Sequence, residues 1–425
     1  MNENTLPPWL PIIPSHWQVE RAGRIARHVH RSPDGATGVV TAFRDGEVTL
    51  RSNRRIDGFT EAIKETGYQG VRRGDLVIHS MDGFAGAIGV SDSDGKMSPV
   101  VHIYRIEYDN PHFIAQSLRV AASSGFIQSL AKGIRERSTS FDKPMFKSML
   151  IPRPPKTEQD LIVAFLDRET ARIDTLIEEQ QRLIDLLRER RISLITRQVA
   201  GGYLEDFSRT QSNWYPNLPS SWQFGRVKSF ATRVTDGAHI SPNTNGGVYD
   251  FVSTRDINAG NIDYDGSLKT SPETYEHMVR TGCRPELGDV LFSKDGTVGE
   301  TAIVDEHREF VVASSLVIIS PDPARLMSEF LAYALMSKAS RDQAASMMRG
   351  AGLPRISVAN LGRLELPLPP LEQQRRIVND LNDHTAMLDT LIAETEKFVD
   401  LARERRAALI TAAVTGQIDV RDEVA

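Results

Sequence analysis

Two long stretches of the chain repeat apolar residues at alternating spacings of three and four positions. The first runs from Glu158 to Val199 without an internal glycine or proline, and its period predicts an amphipathic helix that packs along one stripe. The predicted coiled-coil seam consists of Leu166, Ile173, Ile177, Ile184, Leu187 and Leu194 in the first stretch and Leu381, Leu388, Ile392, Val399 and Leu409 in the second. Each helix of about forty residues would be roughly 60 Å long at ~1.5 Å per residue.

These stretches belong to an internal repeat. Residues 151–201 align without a gap on residues 366–416, with about half of the positions identical. A second repeated pattern, W-x-P-x-[IL]-P-S-x-W-Q, begins at Trp9 and again at Trp214. Placing the end of the second helix beside the first tryptophan segment would make the repeat cyclic with approximate two-fold symmetry. That symmetry requires antiparallel helices, whose register the polar seam positions Arg191 and Arg406 could fix.

The two segments between the repeated parts have similar sequences only over one short stretch. Residues 74–86 and 288–299 both read as a Gly-Asp turn, an apolar strand and a D-G-x-x-G turn. We therefore predict an α+β fold with two α/β domains of similar design, separated by two long repeated helices that form an antiparallel coiled coil. The predicted boundaries are 1–150 for the first variable domain, 151–205 for the first helical spacer, 206–365 for the second variable domain and 366–425 for the second spacer.

Composition narrows the class of protein. The 425 residues are 40% hydrophobic and 25% charged, which is typical of a water-soluble globular chain rather than a disordered one. The single cysteine, Cys283, excludes an internal disulfide and a thiolate zinc cluster. No signal peptide or membrane-spanning stretch is evident, so we expect a cytoplasmic protein. The net charge of -5 means that any phosphate-binding surface must be local.

Motifs for chemistry are missing from the sequence. It has no phosphate-binding P-loop, no N-P-P-[YF] methyltransferase motif, no glycine-rich dinucleotide fingerprint and no HExxH. Asp94-Gly95-Lys96 has the D-x-K spacing of a nuclease, but within SDSDGKMS it is better interpreted as a polar turn. We therefore predict no catalytic residue, no metal site and no cofactor bound by this chain.

Several repeated patterns point to one family. They are the P-S-x-W-Q openings, the GD-strand-D-G-x-x-G segments, the P-x-P-P-x-x-x-Q helix entries at residues 152–159 and 367–374, and the L-I-T-x-x-V-x-G helix exits. Residues 235–239, T-D-G-A-H, are similar to a D-G-T-H segment with Ala238 in place of the threonine. In these features, over nearly its whole length, the chain resembles the specificity subunits of type I restriction-modification enzymes.

The resemblance implies a non-catalytic DNA-binding subunit. Each variable domain would be a target-recognition domain that reads one half of a bipartite double-stranded DNA sequence. The helices would space the two domains and dock two methyltransferase subunits, which restriction and translocase subunits would join. Those partners would use S-adenosylmethionine, ATP and magnesium.

Candidate DNA-binding residues follow from the chemistry of recognition, because Lys and Arg bind phosphates while Arg, Lys, Asn, Gln and Ser can face base edges. The candidates are Arg51, Arg54, Arg55, Arg72, Arg73, Ser80, Lys132, Arg135 and Arg137 in the first domain, and His239, Lys294, Arg349 and Arg355 in the second. The four tryptophans are expected to be packing anchors. A coiled-coil protein-protein adaptor without DNA specificity remains the alternative, and an enzyme that acts alone is disfavoured by the missing motifs.

Overall fold

The computed structural model describes residues 6–10, 12–33, 38–54, 66–130, 140–258, 260–349 and 354–421. The chain folds as two compact units. The first unit comprises Met1–Gln180 and Phe398–Ala425, and the second comprises Gln181–Lys397. Each unit therefore contains one variable segment and part of each long helix, whereas the boundaries predicted from the repeat assign each helix to a spacer of its own.

The first unit is built on a four-stranded antiparallel sheet. Its elements are β1 (Gln18–Arg21), α1 (Ala22–Ile25), β2 (Ala26–Val29), β3 (Val40–Ala42), β4 (Val48–Leu50), α2 (Arg51–Arg54), β5 (Gln69–Val71), β6 (Leu76–His79), β7 (Ile88–Val90), β8 (Gly95–Met97), β9 (Val101–Ile106), α3 (Pro111–Ser123), α4 (Phe126–Leu130), α5 (Lys143–Ser148), β10 (Leu150–Arg153) and the beginning of α6 (Lys156–Val199). The sheet has the order β2-β9-β6-β7. Strand β6 is apolar on both faces because Ile78 packs into the main core with α3, while Val77 packs into a smaller core with β3 and β4.

The second unit repeats this sheet. Its elements are β11 (Phe207–Arg209), β12 (Asn217–Pro219), β13 (Gln223–Arg226), α7 (Val227–Phe230), β14 (Ala231–Asp236), β15 (Tyr249–Val252), β16 (Ile257–Asn258), β17 (Asn261–Ile262), β18 (Leu268–Thr270), α8 (Pro272–Arg280), β19 (Val290–Ser293), β20 (Thr301–Ile303), β21 (Phe310–Val312), β22 (Leu316–Pro321), α9 (Ser328–Met336), α10 (Lys338–Met347), α11 (Val358–Leu361), β23 (Glu365–Leu368) and most of α12 (Leu371–Val414). The order β14-β22-β19-β20 matches that of the first sheet, with β19 in the place of β6. A second sheet of this unit has the order β18-β15-β21, in which β15 and β21 are parallel.

The repeated Gly-Asp turn before β6 and β19 has a physical reason. Gly74 and Gly288 both have φ of 87°, which favours glycine. The next residues, Asp75 and Asp289, are buried and ion-paired. Asp75 binds Arg31, and Asp289 accepts from an arginine of β14 at 2.7 Å.

The long helices confirm the prediction of an antiparallel coiled coil. Both α6 and α12 contain 44 residues, and every predicted seam residue is buried or half-buried. In the first unit, Arg406 Nε donates to Asp174 Oδ1 at 2.8 Å. In the second unit, Arg191 Nε donates to Asp389 Oδ1 at the same distance. Since the residue numbers of both pairs add up to the same value, the two ends of the coiled coil share one antiparallel register.

The tryptophan segments close the repeat on the helix ends. Gly416, with φ of 74°, ends α12 against Pro14 and Trp17, where an added Cβ would lie 2.4 Å from the Pro14 ring. Gly201 ends α6 against Pro219 and Trp222 in the same way. The prediction of a cyclic repeat is therefore confirmed.

The helix entries are fixed by one buried glutamine in each copy. Gln159 donates to the Pro154 carbonyl at 3.0 Å and accepts from the Asn110 backbone N–H at 2.7 Å. Gln374 repeats both contacts, to Pro369 at 2.8 Å and from a backbone N–H at 2.9 Å. These bonds explain the P-x-P-P-x-x-x-Q pattern, because the glutamine side chain links the proline segment before the long helix to the segment before a shorter helix and gives partners to a backbone group of each.

Candidate nucleic-acid interface

A groove of about 590 Å³ opens in the first unit, between the β3–β4 hairpin and the end of β6. Its lining includes four side chains that can carry a positive charge, namely Arg44, Arg51, Arg54 and His79. The hairpin brings the arginines to one rim because Asp45-Gly46 forms its turn and α2 follows directly after β4. Arginine and histidine are suited to contacts with phosphates and base edges.

Carboxylates hold two of these arginines in place. Arg54 is ion-paired with Asp45 and with Glu47 at 3.1 Å, and its guanidinium lies 4.2 Å from the centre of the Phe43 ring. Burial raises the pKa of Asp45, but the hydrogen bond from Arg54 and the backbone N–H of Glu47 lower it by more, so the net pKa lies below its ordinary value. Arg44 donates to Asp82 at 2.8 Å. Both guanidinium groups are thus oriented before any ligand arrives.

His79 forms the floor of the same groove. Burial lowers its pKa, and the carboxylate of Asp82 only partly opposes that shift. The Nδ1 atom accepts a hydrogen bond from the Asp82 backbone N–H at 3.1 Å. A neutral imidazole that accepts at Nδ1 keeps its Nε2–H as a donor.

Other candidates in the first domain lie elsewhere. Arg72 and Arg73 are exposed in the turn before β6, at the end of that strand opposite His79. Ser80 is half-buried and donates its backbone N–H to the Val100 carbonyl at 2.9 Å. Four candidates lie outside the described residues, namely Arg55, Lys132, Arg135 and Arg137.

In the second unit, the predicted residues converge at the ends of β14 and β19. Lys294 follows β19 and is ion-paired with Asp236, the last residue of β14. His239 lies 2.9 Å from the same carboxylate. Burial raises the pKa of Asp236, but its contacts with Lys294 and His239 lower it by more, so this carboxylate has a pKa below its usual range.

A third segment joins this cluster through backbone bonds. Arg349 and Arg355 exchange N–H to carbonyl hydrogen bonds of 3.1 and 3.2 Å. The next residue, Ile356, donates to the Lys294 carbonyl at 3.0 Å. The Arg355 guanidinium lies 3.0 Å from Asp295. All four candidates of the second domain are therefore brought together.

The exposure of these side chains decides which of them can contact a ligand. His239 is 63% exposed and Arg355 is 51% exposed in their side chains, so both can present donors to a ligand. Lys294 is only 3% exposed, and its ammonium faces Asp236 rather than the surface. In this conformation Lys294 can orient its neighbours but cannot reach a phosphate.

Sequence reasoning missed several residues of both clusters. Arg44 and Asp82 orient groups in the first groove, and Asp236 and Asp295 do so in the second cluster. The Asp-Gly turn after Arg44, between two short apolar runs, could have indicated a hairpin that presents this arginine. The carboxylate partners lie in motifs that the sequence did show, since Asp82 and Asp295 begin the two D-G-x-x-G turns and Asp236 belongs to T-D-G-A-H, but their role in orienting arginine, lysine and histidine was not recognised.

The long helices carry a second repeated surface. Leu186 is 62% exposed in the second unit, and its repeat counterpart Leu401 is 54% exposed in the first. Leu183 and its counterpart Phe398 are also exposed. Large apolar side chains that stay exposed at matching positions of a repeat are typical of an interaction surface. No helix in the described part of the chain is long and apolar enough to span a bilayer.

The sequence is similar to a known protein family model and to specificity subunits of known restriction enzymes. Residues 219–398 match the model of the type I restriction modification DNA specificity domain. The MjaVIII type I restriction enzyme specificity subunit of Methanocaldococcus jannaschii is 23% identical over 96% of this chain and 95% of its own length. The EcoBI specificity subunit of Escherichia coli is 21% identical over 63% of this chain, and the match covers 58% of that relative.

A solved chain has a similar fold. It was reported in a study of complex assembly and conformational transition of the type I restriction-modification system. The TM-score is 0.66 at 18% identity, over 96% of this chain and 100% of that one. At this identity the likeness concerns the fold alone.

Proposed function

We propose that the chain is a specificity subunit of a type I restriction-modification system, and that it reads a bipartite DNA target with its two variable domains. The observation that carries this proposal is a contrast within the repeat. Helices, helix entries and central sheets correspond between the two units, whereas the positively charged residues beside the ends of β6 and β19 differ. A common scaffold with two different charged clusters suits recognition of two unlike half-sites.

The first half-site would lie against the groove that contains Arg44, Arg54 and His79. Their donors are fixed by Asp45 and Asp82, so little side-chain freedom is lost on binding. The second half-site would contact His239, Arg349 and Arg355, with Lys294 in a positioning role. Arg51, Arg72, Arg73 and Ser80, together with the undescribed Arg55, Lys132, Arg135 and Arg137, remain candidates for phosphate or base contacts.

The coiled coil would act as the spacer between the half-sites. Helices of fixed length and register would hold the two readers at a constant separation. Centres of the half-sites would then be about one to two helical turns of DNA apart, or ~10 to 20 base pairs. The bases between them would be passed over without sequence preference.

Partner subunits would dock on the repeated parts. Exposed Leu183 and Leu186 and their counterparts Phe398 and Leu401 offer the same apolar chemistry twice, which fits two copies of a methyltransferase subunit. Nuclease and translocase subunits would join through that core. S-adenosylmethionine, ATP and magnesium would serve the partners, and this chain would contribute recognition rather than catalysis.

Salt dependence of DNA binding tests this function. The chain is assembled with its methyltransferase partner, and binding to duplex DNA is measured over a series of salt concentrations. Lys and Arg side chains that bind phosphates release the counterions condensed on DNA, so the affinity of the complex should fall steeply as the salt concentration rises. The complex should also bind DNA more tightly than the methyltransferase alone. A complex that binds DNA no better than the methyltransferase alone would favour the protein-protein adaptor.

A further inference from the structure

Arg119 is a half-buried cation of α3 that is not among the residues lining the groove of the first unit. Burial and the charge of Arg406 lower the pKa of its guanidinium, and the carboxylate of Asp45 opposes that shift. Within the described residues, no carboxylate forms an ion pair with Arg119 and its side chain makes no hydrogen bond. Partial burial of an unpaired cation costs free energy, so this arginine needs a physical reason.

The guanidinium of Arg119 supports the turn of the β3–β4 hairpin. It lies so close to Gly46 that a Cβ added there would be 2.6 Å from Arg119 Nε. Gly46 has φ of 92°, a conformation that favours glycine. A Cβ added to Gly89 of β7 would meet the Gly46 carbonyl and lie 2.9 Å from the Val48 side chain. The hairpin therefore rests on both β7 and Arg119.

The residue before this turn glycine is Asp45, which is ion-paired with Arg54 at the rim of the groove. Besides the larger effects of burial and of Arg54, the charge of Arg119 lowers the pKa of Asp45. Arg119 thus stabilises the ionised carboxylate that orients Arg54. Attraction by Asp45 and repulsion by Arg406 both favour an orientation of the Arg119 guanidinium towards the hairpin.

The second unit has the same junction without this cation. Met336 takes the place of Arg119, since α3 and α9 begin directly after the two residues that donate a backbone N–H to the repeated glutamines. Met336 lines a recess of about 160 Å³ together with Arg191, the repeat counterpart of Arg406, and Gly260 of the β16–β17 turn. A long helix, a shorter helix and a hairpin turn therefore meet here in both units.

The hairpin turns of the two units also correspond. Gly260 forms a bridge with Ala302 of β20, and Ala302 has the position in its sheet that Gly89 has in the first. The residue before the turn glycine is Asp45 in the first unit and Ala259 in the second. The arginine and the carboxylate are thus replaced together by uncharged residues. Since the junction forms without either charge, the two charges serve a purpose specific to the first unit.

We propose that Arg119 is a positioning residue for the first half-site, which holds the β3–β4 hairpin and Arg54 in place through the carboxylate of Asp45. This inference rests on the proposed function, because it gives Arg119 a part in DNA recognition without a contact to DNA. A residue that acts through one carboxylate should change base discrimination only in the first half-site, and only while that carboxylate is present.

Competition binding by the assembled methyltransferase complex tests this role. The wild type is compared with Arg119→Met, which introduces the side chain of the counterpart position, on duplexes with single-base changes in either half-site. Discrimination in the first half-site should fall about fivefold, as expected for coupled neighbours. Discrimination in the second half-site and the slope of log K against log salt should stay the same, because no phosphate contact is lost. Arg119→Lys keeps the charge and should retain most of the discrimination.

A double-mutant cycle with Asp45→Asn identifies the group through which Arg119 acts. Asp45→Asn should itself weaken discrimination in the first half-site, and adding Arg119→Met should then have no further effect. Arg105→Met, at an exposed position of β9, is the matched control and should leave both half-sites unchanged. If Arg119→Met does not assemble, Arg119→Gln takes its place with the same expected results.

Three results would overturn the positioning role alone. A smaller salt slope for Arg119→Met would show a direct phosphate contact. An equal loss of discrimination with and without the Asp45 carboxylate, or a loss in both half-sites, would show a general effect on the fold. A wild-type complex that discriminates at neither half-site would instead overturn the proposed function, and this inference with it.

Discussion

The ammonium group of Lys294 is ion-paired with the carboxylate of Asp236 and is almost fully buried. The same carboxylate contacts His239 on its exposed side. Lys294 therefore connects the end of β19 to the end of β14, and its backbone carbonyl also holds the segment after Arg355. This relationship assigns to Lys294 a positioning role that differs from a phosphate contact.

Replacing Lys294 by methionine distinguishes these roles. A phosphate contact contributes about 0.9 to the slope of log K against log salt, so losing one would reduce that slope. A positioning residue should leave the slope unchanged while weakening discrimination at one half-site. The free energy of unfolding should fall by about 1–3 kcal/mol, because Asp236 keeps its charge but loses its buried partner. The second variant D236N/K294M should recover part of that loss.

Arg349→Met serves as the comparison, because its side chain is exposed at the edge of the same cluster. The expected effects of Arg349→Met are the reverse: the slope of log K against log salt should become smaller, and the free energy of unfolding should stay the same. A lower slope for Lys294→Met than for the wild type would contradict the positioning role.

The two units should control separate halves of the target. Arg44→Ala and Arg54→Ala should relax or change bases in one half-site, since each removes an oriented guanidinium worth about 1–3 kcal/mol of discrimination. His239→Ala and Arg355→Ala should affect only the other half. Methylation sequencing of each variant checks this. Arg172→Ala, an exposed helix arginine paired with Glu169, should change neither half, and a single variant that altered both halves would speak against independent readers.

Helix length should set the gap in the target. Deleting one heptad from the middle of both α6 and α12 preserves the seam and shortens each helix by ~10 Å at ~1.5 Å per residue. The non-specific gap should shrink by about three base pairs at ~3.4 Å per base pair, while the half-site sequences stay the same. Changed half-sites with an unchanged gap would show that the helices are not the spacer.

Acid should destabilise the first unit through His102. Burial, with the charges of Lys143 and His28, lowers its pKa from 6.5 to about 4, while Asp142 opposes this and His79 adds to it. Between these pH values the unfolded chain binds a proton that the folded chain does not. The contribution of His102 to the free energy of unfolding should therefore be constant above pH 6.5 and should fall as the pH decreases towards about 4.

Urea unfolding at several pH values measures that dependence. His102→Gln should flatten the decline between pH 6.5 and about 4, because glutamine cannot take up the proton. His112→Gln, at an exposed position, is the control and should retain the wild-type decline. An unchanged decline in His102→Gln would assign the acid sensitivity to other groups.

Much of the scaffold was predictable from the sequence because it is periodic and repeated. The spacing of the seam residues from Leu166 to Leu194 alone predicts a helix, and the second copy, which contains Leu381, repeats the same spacing. Antiparallel packing followed from symmetry, and the Arg191–Asp389 and Arg406–Asp174 pairs agree with it.

The candidate interface was less predictable, since it depends on contacts between distant segments. Lys294 and Asp236 are 58 positions apart, so the sequence could not reveal that the lysine is buried. Arg44 was missed because its orientation depends on Asp82 in another loop. The residues proposed to contact bases lie in loops, and packing between distant segments, not a local sequence period, brings these loops together.

Sequencing of DNA methylation in a host without its own modification systems tests the central claim most directly. The methyltransferase is expressed with this chain and, separately, without it. The proposed function predicts a split motif with two unlike halves and a fixed gap, which appears only when the chain is present. An active methyltransferase that assembles with the chain but produces no new motif, or the same motif in both cultures, would contradict it.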